Sequence, residues 1–136
     1  MSSRMTRTLL VAAAWGLMQS PLTAFAAPTY EQTVAFLEGA STRPFVEQGK
    51  CAFLYDNNYR FNAGDLNSVY KVVGLLVEVK CARGKRCVDP RATETLETSL
   101  RFYISTPASA TRVTNAWTYL IGMCGGTTVD PSMFDK

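Results

Sequence analysis

From residue 29 the chain reads TYEQTVAFLEGAS, which places Tyr30, Val34 and Leu37, with Thr33 and Phe36 beside them, at three- and four-residue intervals. That period lays one apolar stripe along a helix. Thr29, with Gln32 three positions on, forms a capping box at its start, and Gly39 suits its C-terminal end. A helix this short does not hold alone in water, so the stripe requires a partner surface.

The rhythm then changes. In KCAFLYDNNYRFNAGD, Cys51, Phe53 and Tyr55 point to one side, Asp56-Asn57-Asn58 signals a turn, and Tyr59 and Phe61 carry the return strand. VYKVVGLLVEVKC is dense in β-branched residues and predicts one central strand, with Val73, Leu75, Val77, Val79 and Cys81 on one face and Val72 and Leu76 on the other. A polar connector follows Val88-Asp89-Pro90, and LETSLRFYIS predicts a fourth strand with Leu96, Leu100, Phe102 and Ile104 facing inward.

The last element is a helix over TPASATRVTNAWTYLIGMC. Thr106 is its expected cap, Pro107 its first residue and Gly125-Gly126 its stop, with Ala110, Val113, Trp117, Leu120, Ile121 and Cys124 on one stripe. The predicted fold class is therefore α+β: a four-stranded antiparallel sheet, in the order α-β-β-β-β-α, with the N-terminal and C-terminal helices packed on one face. The domain is expected over residues 27–126, followed by a loosely ordered tail over 127–136.

The first 26 residues fit a different purpose. Arg4 and Arg7, the apolar run Leu9 to Met18 and the small-x-small site Ala24-Phe25-Ala26 read as an export signal cleaved after Ala26. The apolar run falls short of the ~20 residues a spanning helix needs, so no stable membrane insertion is expected after cleavage. Removing 26 of the 136 residues leaves 110, enough for one domain with a modest core. The flanks point to a bacterial periplasm first and to full secretion as the alternative.

Export changes the meaning of the four cysteines, Cys51, Cys81, Cys87 and Cys124. In an oxidising compartment an even count predicts two structural disulfides. Zinc is disfavoured because C-x₅-C is wider than the usual knuckle and the chain has no histidine. Three pairings are possible; Cys51–Cys124 and Cys81–Cys87 are favoured because Cys51 enters the first strand and Cys124 leaves the last helix, elements that should meet.

Charge and chemistry then narrow the function classes. Arg4 and Arg7 account for two of the 14 basic residues, leaving 12 against 11 acidic ones, a balance that gives no reason to expect a nucleic-acid partner. The absence of histidine removes the commonest general base and the Ser-His-Asp and Cys-His systems. The carboxylates are scattered over helix faces, turns and wet strand faces, and Lys71, two residues inside a strand after Ser68, reads as a wet-face lysine. No catalytic residue, metal or cofactor is expected, and the chain is not expected to be an enzyme.

Two groups of residues are candidates for contact. CARGKRC sets Arg83, Lys85 and Arg86 in a loop that a Cys81–Cys87 bridge would hold in a fixed frame. Tyr55, Tyr59 and Arg60 flank the Asn-rich turn, and Tyr and Arg are favoured at binding hot spots. Tyr70 and Tyr103 are placed on the outer sheet face. The expectation is a small exported binding protein that occludes another envelope or secreted protein, similar in size, bridging and lack of catalytic groups to periplasmic inhibitors and immunity proteins. The alternative is a binder of a small ligand or envelope component, such as an anionic glycan or a lipid head group.

Overall fold

A computed structural model describes residues 27–126. The expected export signal, 1–26, and the expected tail, 127–136, lie outside the described residues. Helix α1 (Tyr30–Ala40) opens the fold, and its capping box is complete: the Gln32 amide donates to Thr29 Oγ1 at 3.1 Å and the Thr29 amide to Gln32 Oε1 at 2.9 Å. Its stripe buries Thr33, Val34, Leu37 and Ala40.

Strands β1 (Phe45–Gly49), β2 (Ala52–Tyr55), β3 (Tyr59–Asn62) and the two-residue β6 (Asp89–Pro90) form a four-stranded antiparallel sheet in the order β1-β2-β3-β6. The turn between β2 and β3 is the expected one, since Asp56 and Asn57 adopt φ of 55°, which short polar side chains tolerate best after glycine. A second antiparallel sheet, in the order β4-β5-β7, joins β4 (Leu66–Val73), β5 (Leu76–Cys81) and β7 (Ser99–Tyr103). Helix α2 (Ala110–Met123) closes the chain, after a 3-10 turn over Pro107–Ser109.

Three local expectations need correction. The apolar run 69–81 is not one strand but the hairpin β4–β5, closed by Gly74 at φ +59° and Leu75, so that Val73 pairs with Leu76 and Val72 with Val77. Val73 and Leu75 therefore leave the face of Val77 and Val79, and both are exposed at the hairpin tip. Leu96 is likewise exposed, lying before β7 rather than in it. Thr106 gives no side-chain cap, because the 3-10 turn intervenes and the Thr106 carbonyl accepts from Ser109 Oγ instead.

The core lies where both sheets and the helices converge. Phe45, Phe53 and Phe61 come from the first sheet, Phe102 from the second and Trp117 from α2; ring centroids within this cluster lie 4.8–6.4 Å apart. Such offset and edge-on contacts add to the burial of these rings. Trp117 Nε1 has no hydrogen-bond partner among the described residues, so this position is held by packing rather than by polar anchoring.

Both disulfides are as expected, Cys51–Cys124 and Cys81–Cys87. Cys51 sits at φ 67° in the corner between β1 and β2, and its amide donates to Tyr30 Oη at 2.8 Å, while that hydroxyl donates to Glu47. Burial and the Glu47 hydrogen bond raise the Tyr30 pKa above its ordinary value. One corner is thus tied at once to α1, to β1 and, through sulfur, to the end of α2. No helix among the described residues is long and apolar enough to cross a membrane.

Candidate binding face

The second sheet has one covered and one open face, and the register assigns residues to each. Val77, Val79 and Cys81 of β5 and Leu100 and Phe102 of β7 are buried inward. The paired positions between them point outward in three rows: Val73, Leu76 and Tyr103; Lys71, Glu78 and Arg101; and Ser68, Lys80 and Ser99. Two register shifts in β4 insert Asn67 and Tyr70 as extra residues. The second places Tyr70, 59% exposed, so that the Lys80 ammonium sits 3.8 Å from its ring centroid.

Lys71, Lys80 and Arg101 make no salt bridge among the described residues, and Glu78 is instead hydrogen-bonded by Ser99 Oγ at 2.9 Å. β5 then runs directly into the Cys81–Cys87 loop. There Arg83, Lys85 and Arg86 are all exposed and likewise free of salt bridges among the described residues. Arg83 takes φ 57° and Gly84 φ 67°, a pair of left-handed residues that folds the loop back on itself within the span of the bridge. Holding a non-glycine residue there costs ~1 kcal/mol, offset here by covalent closure.

The second predicted group is divided by the fold. Tyr55 is 1% exposed: its hydroxyl accepts from the Tyr103 amide at 2.8 Å and so joins the two sheets, and burial raises its pKa. Arg60 is exposed but bonded to Asp89 of β6 at 2.8 Å, which compensates its charge. Tyr59 is half-buried and, with Tyr55, Arg43, Asp56, Glu97 and Arg101, lines a polar cleft of about 170 Å³ beside β7. Arg43 is held there by Asp56 at 3.1 Å and by the Tyr103 ring, 4.9 Å away.

Sequence reasoning missed Lys71, Lys80 and Arg101 as members of one open face. Their outward parity was visible for β5 and β7, but for β4 it depends on a turn and two bulges that alternation cannot place. A second, apolar groove of about 320 Å³ runs between the helices, lined by Phe36, Ala116, Tyr119 and Arg112. No cluster of three or more His, Cys, Asp or Glu side chains that could hold a metal ion occurs among the described residues. No family model, curated protein or solved structure matches this chain.

Proposed function

We propose that this is a non-enzymatic binding protein of the bacterial envelope, exported to the periplasm, which occludes an acidic surface of another protein in the manner of an inhibitor or immunity protein. The observation that carries this reading is the stapled loop with three exposed cations, Arg83, Lys85 and Arg86, that make no salt bridge among the described residues, at the end of a sheet face those residues leave open. A pre-formed loop loses little freedom on contact, and exposed cations raise the rate of encounter with an acidic partner more than they raise affinity. Salt should therefore act mainly on association.

The test is capture from periplasmic extract with the oxidised protein, beside a variant carrying Arg83→Glu, Lys85→Glu and Arg86→Glu. One stoichiometric protein retained by the first and released by the second is expected. Recovery of no such partner, or equal recovery by both, counts against the proposal. The polar cleft beside β7 favours a second reading, recognition of a small anionic group such as a glycan carboxylate or a lipid head group, since Arg101 there makes no salt bridge among the described residues. Thermal stabilisation by such a ligand, abolished by Arg101→Glu but not by the loop substitutions, would select it.

A further inference from the structure

The β4–β5 hairpin ends in an apolar tip that no described residue covers: Val72 is 42%, Val73 55% and Leu75 45% exposed. Folding normally hides three adjacent aliphatic residues of this size, and their exposure together marks a contact surface. The tip lies at the opposite end of β5 from the basic loop, roughly 20 Å away at the usual rise of a strand. It therefore goes beyond the protein-contact proposal and does not depend on it.

The residues behind the tip say what it meets. Tyr103 stands beside Leu76 in the outermost row; Lys71 and Arg101 stand one row back, ~7 Å from it, and Lys80 with Tyr70 one row further. Three cations face one carboxylate, Glu78, and none has an ion-pair partner among the described residues. Like charges on this face oppose a second copy docking on it, and the two bulges of β4 disrupt the hydrogen-bonding edge that strand addition would need. Aliphatic residues at the tip, Tyr103 beside them, and cations one and two rows behind with Tyr70 against the last form the sequence of polarity met on entering an anionic bilayer.

We infer that the β4–β5 hairpin is a reversible docking element for an anionic phospholipid surface, with Val72, Val73 and Leu75 entering the acyl boundary and Lys71, Lys80 and Arg101 meeting phosphate. Docked in this way, the molecule would turn Arg83, Lys85 and Arg86 away from the bilayer. The contact is shallow and needs both charge and the apolar tip, as peripheral binding generally does.

The experiment is co-sedimentation of the oxidised protein with phosphatidylcholine vesicles with and without phosphatidylglycerol. Binding is expected only where phosphatidylglycerol is present, and it should fall as salt rises. Immersing half of an aliphatic side chain changes partitioning roughly fivefold, so Val73→Ser with Leu75→Ser should weaken binding roughly 25-fold. Both positions are exposed, so the fold should be unaffected, which circular dichroism checks. In a Val73→Trp variant, emission should shift to the blue on these vesicles and be quenched by brominated acyl chains. Absence of phosphatidylglycerol-dependent binding, binding insensitive to the serine pair, or an unmoved Val73→Trp emission overturns the inference. So does a serine pair that instead abolishes self-association in light scattering, or that releases a captured acidic protein, because either result assigns the tip to a protein contact.

Discussion

Removing the Cys51–Cys124 bridge should cost this protein a large share of its stability. The two residues are 73 apart in sequence, whereas Cys81 and Cys87 are 6 apart. With loop-closure entropy as the main term, the long bridge stabilises by about 4.4 kcal/mol and the short one by about 2.2 kcal/mol. A domain of this size has roughly 5–15 kcal/mol in total. Cys51→Ala with Cys124→Ala should therefore lower the melting temperature by roughly 20 °C, about twice the effect of Cys81→Ala with Cys87→Ala. Because residue 51 adopts φ 67°, replacing Cys51 by glycine instead of alanine should recover up to about 1 kcal/mol. Urea unfolding followed by circular dichroism measures all three variants, and the m-value should rise as the denatured chain loses its cross-link. If deleting the short bridge proves as costly as deleting the long one, loop closure is not what the Cys51–Cys124 bridge contributes.

Two further predictions concern residues that join elements. Tyr55→Phe should cost roughly 1–2 kcal/mol at neutral pH, because the Tyr103 amide between the two sheets loses its acceptor. Burial raises the Tyr55 pKa, so the unfolded chain ionises first: its stabilisation is complete below the ordinary value of 10.0 and is lost as pH rises through the folded value. Urea midpoints followed across that range should fall less steeply in Tyr55→Phe than in the parent. Gly64→Ala should destabilise by about 2 kcal/mol, since its Cβ would press into the backbone carbonyl of Cys124. Mass spectrometry of blocked thiols should then find Cys51 and Cys124 incompletely paired; full pairing with unchanged stability would show that this close approach relaxes freely.

How far the fold was legible depends on how local each signal was. The Thr29–Gln32 capping box acts within one helical turn and forms as expected. The Asp56-Asn57 turn is as local, and the placement of Cys51 and Cys124 at the ends of meeting elements was enough to pair them. The candidate site was only partly legible. Arg83, Lys85 and Arg86 stand exposed in a bridged loop, but Tyr55 is consumed in joining the sheets and Arg60 is matched by Asp89, a residue 29 positions away.

Short-range spacing alone decided the helices and the strand-forming character of residues 69–81, while the Cys51–Cys124 pairing, 73 residues apart, followed from which elements those spacings bring together. Tertiary structure decided that this run turns at Gly74 and that the strands divide between two sheets. A two-residue turn inverts the parity of everything beyond it, yet an unbroken series of valines and leucines carries no mark of where the inversion falls. Which partner a strand takes depends on the competition among all available edges, settled by how Phe45, Phe53, Phe61, Phe102 and Trp117 pack together. The exposed tip and the cationic face follow from that packing, since they are what remains once the core has chosen its side of the sheet.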